Sequence, residues 1–120
     1  MSGARELAEA RGRRGEGLAA WYLRLHGWRI VGRRLQTPRG EVDMVARRGR
    51  MVAFVEVKWR ADVGGLDRAI DGWRLRRVIA AAEVLAPRYV CAGDCWRIDV
   101  LLLAPGRWPR HIVNASMNLV

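Results

Sequence analysis

The chain has 120 residues and a net charge of +10. Its mass of 13.6 kDa corresponds to one domain, which excludes an enzyme with separate substrate and cofactor domains. It is 51% hydrophobic and 28% charged, which is typical of a globular domain and excludes disorder over the whole length. The basic excess favours a polyanionic partner such as nucleic acid, although an arginine-rich proteome would produce the same excess. No apolar run approaches the ~18 residues that span a bilayer. The N-terminus also lacks an apolar secretory segment, so we expect a cytoplasmic protein with no membrane partner.

The N-terminal part of the chain predicts a helix. Residues 1–13 are rich in Ala, Arg, Glu and Gly, and we expect a flexible arm ahead of a single domain over residues 14–120. Between Gly15 and His26 apolar residues recur at helical spacing, and Gly27 is a natural end for the helix.

The next segment predicts a basic loop followed by a β-hairpin. Trp28–Val31 is compatible with a short strand, and Gly32–Gly40, which contains three arginines, predicts a loop. Glu41–Ala46 and Met51–Trp59 then predict two strands, joined by a turn over Arg47–Arg50.

The C-terminal half predicts a second helix and further strands. We expect a helix over Leu66–Leu85, after a glycine-bearing loop at Ala61–Gly65, with Pro87 ending it. Its predicted buried stripe consists of Ile70, Trp73 or Leu75, Val78, Ala81 or Ala82, and Leu85. Trp96–Leu103 predicts an interior strand and His111–Val113 a short one. The order of elements therefore predicts a small α/β domain with a mixed sheet.

Two carboxylates are predicted to meet on the hairpin. Side chains alternate along the second hairpin strand, so Glu56 and Lys58 share one face while Trp59 and the flanking valines share the other. The hairpin turn places Asp43 roughly opposite Val55 or Glu56. Clustered carboxylates in a partly buried site repel each other unless a cation neutralises them. Oxygen ligands without His or Cys indicate Mg²⁺ or Mn²⁺ rather than zinc.

This arrangement is compatible with metal-assisted cleavage of a phosphodiester. A metal held by Asp43, Glu56 and the carbonyl of Val57 would polarise the phosphodiester and lower the pKa of a bound water. Lys58, the one lysine among 22 basic residues, would orient that water or stabilise charge in the transition state. The alternative is a solvated strand face with cross-strand ion pairs, which the Glu-x-Lys spacing by itself favours.

Two segments in this order resemble a known nuclease signature. Gly40–Ala46 (GEVDMVA) followed by Phe54–Arg60 (FVEVKWR) is similar to the paired motif of the PD-(D/E)XK nuclease superfamily. More narrowly, the chain resembles the YraN-type family of small bacterial proteins related to archaeal Holliday-junction resolvases. The resemblance begins at Gly15–Ala19 and runs through Arg97–Val100, so it covers most of the domain.

The resemblance implies a restriction-endonuclease-like core, in which helices flank a mixed central β-sheet. It also implies that Asp43 and Glu56 are metal ligands and catalytic residues, and that Lys58 is the catalytic lysine of the motif. Glu16 matches an acid that related resolvases bring to the site from the first helix; the alternative is an acid that faces the helix dipole. Asp99 matches an acidic position in the last core strand, which we interpret as structural.

Residues that contact nucleic acid are expected among the arginines around this site. Loop and strand-end arginines suit phosphate contacts, and the resemblance places one arginine where many relatives carry a helix lysine. The candidates are Arg33, Arg34, Arg39, Arg60 and Arg74. Exposed arginines of this kind are equally compatible with an ordinary protein surface.

The tryptophans are expected mostly in the core. Trp21 and Trp73 lie on helical stripes, and Trp96 is expected to pack in the sheet. For the others the core is favoured over stacking on bases or lining a dimer interface: Trp28, Trp59 and Trp108.

The favoured function is a Mg²⁺- or Mn²⁺-dependent endonuclease acting on DNA, with branched DNA as the substrate that the resemblance implies. One alternative is a non-catalytic nucleic-acid-binding module that retains the nuclease fold. Another is an adaptor whose basic surface docks an acidic protein. A homodimer is compatible with cutting two strands of a junction. The residues leave open whether the substrate is DNA or RNA and whether one or two metal ions bind.

Overall fold

The computed structural model of the protein describes residues 15–59 and 72–115. The described elements, in chain order, are α1 (residues 15–25), β1 (Arg29–Thr37), β2 (Gly40–Arg48), β3 (Met51–Trp59), α2 (Gly72–Tyr89), β4 (Cys95–Leu103) and β5 (Arg110–Ile112). The strands form one sheet in the order β1-β2-β3-β4-β5. In this sheet β3 and β4 are parallel, and the other neighbouring strands are antiparallel. The predicted arm over residues 1–13 lies outside the described residues.

The two described helices pack on opposite faces of the sheet. The α1-side cluster of buried residues contains Ala19, Ala20, Tyr22, Leu23, Trp28, Met44, Ala46, Ala53, Val55, Leu101 and Leu103. The α2-side cluster contains Val42, Val45, Val52, Phe54, Leu75, Val78, Ala81, Ala82, Leu85, Ile98, Val100, Leu102, Ala104 and Ala115. The prediction of a mixed central sheet flanked by helices is therefore confirmed. Neither helix, over its described residues, combines the length and apolarity that crossing a membrane requires.

The middle strands β3 and β4 carry the core on both of their faces. Four consecutive residues of β3, Val52–Val55, are fully buried, and Ile98–Leu103 of β4 are buried in the same way. Since a helix covers each face of the sheet, these strands are apolar at consecutive positions instead of alternating with polar residues. This arrangement makes β3 a rigid base for the polar residues at its carboxyl end.

The strand β2 approaches α2 closely at Gly40. A Cβ at this position would lie 2.7 Å from the carbonyl oxygen of Arg77, so a side chain here would push the helix off the sheet. Gly40 also follows the turn between β1 and β2. There, Thr37 Oγ1 accepts hydrogen bonds from the backbone N–H groups of Arg39 and Gly40, both at 3.1 Å. Gly40, the first residue of the GEVDMVA segment, is therefore required for helix packing as well as for the turn.

The predicted basic loop over Gly32–Gly40 is wrong. The chain continues as β1 up to Thr37 and pairs with β2 along its length. β1 is an edge strand, in which exposed and half-buried residues alternate over most of its length, and Leu35 packs against the α2-side cluster. An edge strand accommodates several arginines because one edge and much of one face contact solvent.

The predicted end of the second helix is also wrong. The prediction stopped the helix at Pro87, whereas α2 continues through Pro87 to Tyr89. Proline removes one backbone N–H group, but the last turn still closes because Val90 N donates to Ala86 O at 2.8 Å. The predicted buried stripe is confirmed for Leu75, Val78, Ala81, Ala82 and Leu85. The other predictions for this region lie outside the described residues and side chains: the loop at Ala61–Gly65, the helix start at Leu66, Ile70 and Trp73.

The predicted core positions of Trp21 and Trp108 are wrong, whereas Trp28 is buried as expected. Trp21 is 48% exposed, and its ring contacts that of Trp108 with 6.0 Å between centroids. The face that α1 buries is formed by smaller residues, including Ala20 and Leu23. Trp21 lies beside this face, because the helical stripe that predicted it is broader than the contact with the sheet.

A fully buried aspartate connects β4 to β5. Asp99 Oδ1 accepts hydrogen bonds from Arg97 Nε and from Asn114 N, both at 2.9 Å, and His111 Nε2 lies 2.8 Å from Oδ2. Burial alone would raise the pKa of Asp99. The hydrogen bonds from His111, Asn114 and Arg97 outweigh burial and hold this pKa below its ordinary value. These contacts make Asp99 part of the frame of the sheet.

Replacing Asp99 should destabilise the fold. In an Asp99→Ala variant Arg97 and His111 lose a buried acceptor, and we expect the free energy of unfolding at pH 7 to fall by about 3–5 kcal/mol. Urea denaturation measures this change. Glu83→Ala, which removes an exposed carboxylate on α2, is the control and should change the same quantity by less than about 0.5 kcal/mol. Equal losses of unfolding free energy in the two variants would contradict the structural role of Asp99.

Acidification should remove the same stabilisation in the wild-type protein. Because the pKa of Asp99 is lowered on folding from an ordinary value of 3.8, its contribution is fully present above about pH 4. It is lost as the pH falls through the lowered pKa. Urea denaturation below pH 4 should therefore show a smaller difference between wild type and Asp99→Ala than at pH 7.

Candidate active site

The strands β2 and β3 separate at Asp43. Their pairing runs from Arg48↔Met51 to Met44↔Val55, whereas β3 continues to pair with β4 as far as Trp59↔Leu103. At the point of separation Asp43 Oδ2 accepts a hydrogen bond from the backbone N–H of Val57 at 2.8 Å. The Asp43 side chain thus replaces the main-chain hydrogen-bond partner that β2 would otherwise offer to Val57. The separation of the strands leaves room for a candidate active site between them.

The alternation of side chains along β2 also breaks at Asp43. Met44 and Ala46 belong to the α1-side cluster and Val45 to the α2-side cluster, as a regular strand requires. Strict alternation would place Val42 on the α1 side, but it lies in the α2-side cluster. The irregularity turns the Asp43 carboxylate towards β3, where the sequence prediction placed it opposite Val55 or Glu56.

The carboxyl groups of Asp43 and Glu56 interact directly. Burial, followed by the charge of Glu56 and a hydrogen bond to it, raises the pKa of Asp43 to about 7. The hydrogen bond from Val57 N acts in the opposite direction and is outweighed. Near neutral pH the site therefore holds a proton or requires a further positive charge.

Lys58 lies beside this carboxylate pair. Its Nζ is 2.7 Å from Glu56 Oε1, and both side chains are largely buried. Val57 and Trp59 pack against the α1-side cluster, so Glu56 and Lys58 share the other face of β3, as the alternation predicted. The site therefore combines two carboxylates with one ammonium group on adjacent strands.

A pocket of about 140 Å³ opens next to Asp43. It is lined by Gly15, Glu16, Asp43, Val57 and Trp59. The pocket brings the predicted acid of α1 to the same place as the hairpin acid. The sequence analysis did not predict that Gly15 and Trp59 contribute to this pocket. For Trp59 the available signal was strand alternation, which places it next to the Glu-x-Lys motif on the opposite face of β3.

Glu16 is held by an arginine of the edge strand. Arg34 Nε donates to Glu16 Oε2 at 2.7 Å. Arg34 adopts a left-handed backbone conformation with φ of 51°, which is uncommon for a residue other than glycine. Nothing in the sequence predicted this pair, because the two residues are 18 positions apart and belong to different elements.

The predicted nucleic-acid contacts fall into two groups. Arg33, Arg34 and Arg39 lie on β1 and the turn that follows it, and all three are exposed. Arg33 is opposite Met44, next to Asp43, and Arg39 lies 3.9 Å from the exposed carboxylate of Glu83. The other two candidates lie outside the described residues and side chains: Arg60 and Arg74.

The donor set suits a hard divalent cation. Asp43 and Glu56 offer oxygen ligands alone, and a cation between them would relieve the repulsion that contributes to the raised pKa of Asp43. Within residues 15–59 and 72–115 no group of three or more His, Cys, Asp or Glu side chains forms a ready ligand cluster. Main-chain carbonyls and water would therefore complete the coordination, an arrangement that Mg²⁺ commonly adopts.

The fold is that of the restriction-endonuclease-like class. The chain is similar to the 1.6 Å structure of Archaeoglobus fulgidus Hjc, a Holliday junction resolvase from an archaeal hyperthermophile, with a TM-score of 0.59 and 19% sequence identity. The match covers 87% of this chain and 76% of the resolvase chain. At 19% sequence identity this structural similarity shows a shared fold.

The sequence comparisons show the family. Residues 15–103 match the model of the uncharacterised protein family UPF0102. A UPF0102 protein of Sphingopyxis alaskensis is 68% identical, over 92% of this chain and 95% of its own length. A UPF0102 protein of Rhizorhabdus wittichii is 62% identical, over 92% and 93%. The chain belongs to the UPF0102 family, which confirms the resemblance to the YraN-type proteins.

The carboxylate pair should make stability depend on pH. Because folding raises the pKa of Asp43 from 3.8 to about 7, its contribution to stability is fully present below about pH 4 and is lost as the pH rises through 7. An Asp43→Asn variant lacks this titration. We expect the free energy of unfolding of wild type, relative to that of Asp43→Asn, to fall between pH 5 and pH 7 in urea denaturation. A constant difference across this range would contradict the raised pKa.

Proposed function

We propose that the protein is a divalent-metal-dependent endonuclease that hydrolyses phosphodiester bonds of DNA, with branched DNA as its substrate class. The observation that carries the proposal is the meeting of Asp43 and Glu56, beside Lys58, where β2 leaves β3. The likeness of the fold to a Holliday junction resolvase supports branched DNA as the first substrate to test. The net charge of +10 supports a polyanionic substrate.

In this proposal the metal site consists of Asp43, Glu56 and the main-chain carbonyl of Val57. A Mg²⁺ or Mn²⁺ ion bound there would supply Lewis-acid activation of the phosphodiester and a bound water of lowered pKa. The protein contributes fixed ligand positions. The Asp43 carboxylate is held by Val57 N at 2.8 Å, and Glu56 by Lys58 Nζ at 2.7 Å.

Lys58 is proposed to stabilise negative charge on the phosphate that reacts. Its ammonium group is buried beside Glu56, where the low dielectric strengthens its field. When Glu56 shares its charge with a bound cation, the same ammonium is free to donate to a phosphate oxygen. A compact ammonium fits this narrow position, whereas the planar guanidinium that the chain uses nearly everywhere else requires more room.

Glu16 is proposed to act from α1 at the edge of the same pocket as Asp43. It lines the pocket together with Asp43, and Arg34 holds its carboxylate. A carboxylate fixed in this way is suited to orient a water that attacks the phosphate. The exposed arginines of β1 and its turn, Arg33, Arg34 and Arg39, lie along the same edge and are proposed to contact phosphates of the DNA backbone.

Cleavage of DNA should depend on Asp43 and Lys58. With Mg²⁺ or Mn²⁺, we expect purified protein to cleave a four-way junction or a flap in preference to linear duplex, single strand or structured RNA. Asp43→Asn and Lys58→Ala should each lower the cleavage rate by about 100-fold or more, because each removes a group that stabilises the transition state. Gel electrophoresis of end-labelled substrates measures the rates.

Two matched controls separate the site from general charge effects. Glu83→Gln removes an exposed carboxylate of α2, and Arg88→Ala removes an exposed cation of the same helix; neither should change the rate by more than two-fold. If wild type and both site variants are equally inert while all of them bind the junction, the endonuclease proposal fails. A nucleic-acid-binding module on a nuclease fold then takes its place.

Divalent cations should stabilise the protein through the same carboxylates. At pH 7.5 we expect millimolar Mn²⁺ or Mg²⁺ to raise the melting temperature by about 2–5 °C, since a ligand that binds only the folded state stabilises it by mass action. Asp43→Asn should abolish the shift, and Glu83→Gln should retain it. A shift that survives in Asp43→Asn would place the cation elsewhere.

A further inference from the structure

Two exposed tryptophans form a surface that the proposed chemistry does not use. Trp21 of α1 is 48% exposed and Trp108, between β4 and β5, is 66% exposed. Their rings meet edge to face with centroids 6.0 Å apart. Leu25 and Val113 are also exposed. We call the surface formed by Trp21 and Trp108 the tryptophan face.

The buried ring of Tyr22 connects the tryptophan face to the interior of the protein. The ring of Tyr22, which is buried, lies 6.2 Å from that of Trp108 and 5.9 Å from that of His111. The His111 ring is in turn 2.8 Å from the buried Asp99. The tryptophans therefore sit on a rigid base, and little side-chain entropy is lost when a flat ligand covers them.

The two segments that supply the tryptophan face carry only positive charges. Residues 17–40 and 100–115, which supply both tryptophans, contain no Asp or Glu and carry five and two arginines respectively. Arg24 lies one turn beyond Trp21, and Arg107 directly precedes Trp108; both are exposed. Aromatic rings flanked by exposed guanidinium groups fit a ligand that carries flat apolar rings on a negatively charged backbone.

The tryptophan face and the pocket both include residues of α1. Glu16 lines the pocket, and Trp21 follows five residues later on α1, a rise of about 7.5 Å along the helix. Trp108 follows the carboxyl end of β4, which is parallel to β3 and pairs with it at Trp59↔Leu103. Trp59 also lines the pocket. The tryptophan face and the pocket are therefore both built from α1 and from residues at or after the carboxyl ends of β3 and β4.

We propose that the tryptophan face binds unpaired nucleotides of a DNA strand, stacking bases on Trp21 and Trp108 while Arg24 and Arg107 contact phosphates. The inference deepens the proposed function and rests on it for the choice of DNA, since a branched substrate such as a flap carries an unpaired segment at the branch. Paired bases are stacked on one another inside a duplex and do not offer this contact. A second copy of the chain is disfavoured, because a symmetric contact would bring arginines together without a carboxylate from either segment.

Binding of single-stranded DNA tests the inference. The probe is a fluorescent oligothymidylate of about 15 nucleotides, compared by anisotropy with a duplex of equal length, in the absence of divalent metal so that no cleavage occurs. We expect Trp108→Ala and Trp21→Ala each to weaken oligothymidylate binding by about five- to 100-fold. Duplex binding should change by less than two-fold. Trp108→Phe, which keeps an aromatic ring, should retain most of the affinity.

The controls use the opposite face of the sheet. Val84→Ala removes an exposed apolar side chain of α2, and Arg88→Gln removes an exposed charge there; Arg107→Gln should weaken binding more than Arg88→Gln does. Equal weakening of single-strand and duplex binding by Trp108→Ala, or no weakening, would overturn the proposal. It would also be overturned if the variant lost binding to anionic phospholipid vesicles, or lost dimerisation in sedimentation, while binding to oligothymidylate stayed unchanged.

The outcome is independent of whether the protein cleaves DNA. If wild type cleaves branched DNA and Trp108→Ala binds the oligothymidylate normally, the inference fails while the proposed function stands. If no substrate is cleaved but Trp108→Ala loses single-strand binding, the endonuclease proposal fails and the tryptophan face remains a binding site.

Discussion

The separation of β2 from β3 at Asp43 is the constraint on which the candidate site depends. Up to Met44↔Val55 the two strands form an ordinary antiparallel ladder, and beyond it the Asp43 carboxylate accepts the hydrogen bond of Val57 N. A regular ladder there would leave no gap for a substrate. The cost is a half-buried carboxylate beside Glu56. The packing of β3 between the two helices holds these groups together despite their repulsion.

Asp99, which is buried, and Asp43, which is half-buried, show how the same residue type acquires opposite properties. Asp99 is surrounded by Arg97, His111 and a backbone N–H group, so its pKa is lowered and it strengthens the frame of the sheet. Asp43 has a second carboxylate as its neighbour, and its pKa rises to about 7. The charge of Asp99 is compensated by groups of the protein itself. The carboxyl groups of Asp43 and Glu56 repel each other, so their site is suited to bind a cation. This difference distinguishes a structural acid from a candidate functional one.

The arginines of the chain also divide by their surroundings. Arg97 is occupied by its interior contact with Asp99. Others, such as Arg24 and Arg107, lie exposed on segments that lack acidic residues. The net charge of the chain therefore does not show where its positive surface lies. Position in the fold, rather than total charge, decides which arginines can meet a polyanion.

The sequence by itself determined the features that depend on spacing within one element. These include the shared face of Glu56 and Lys58, the buried stripe of α2 and the apolar interior of β4, because alternation and helical periodicity are properties of a single segment. Tertiary structure decided the rest. β1 forms because β2 is available to pair with it, although its composition predicted a loop, and Trp21 is exposed because smaller residues fill the contact between α1 and the sheet. The Arg34–Glu16 pair and the raised pKa of Asp43 depend on groups brought together from distant parts of the chain, and burial is a collective property that no local pattern contains.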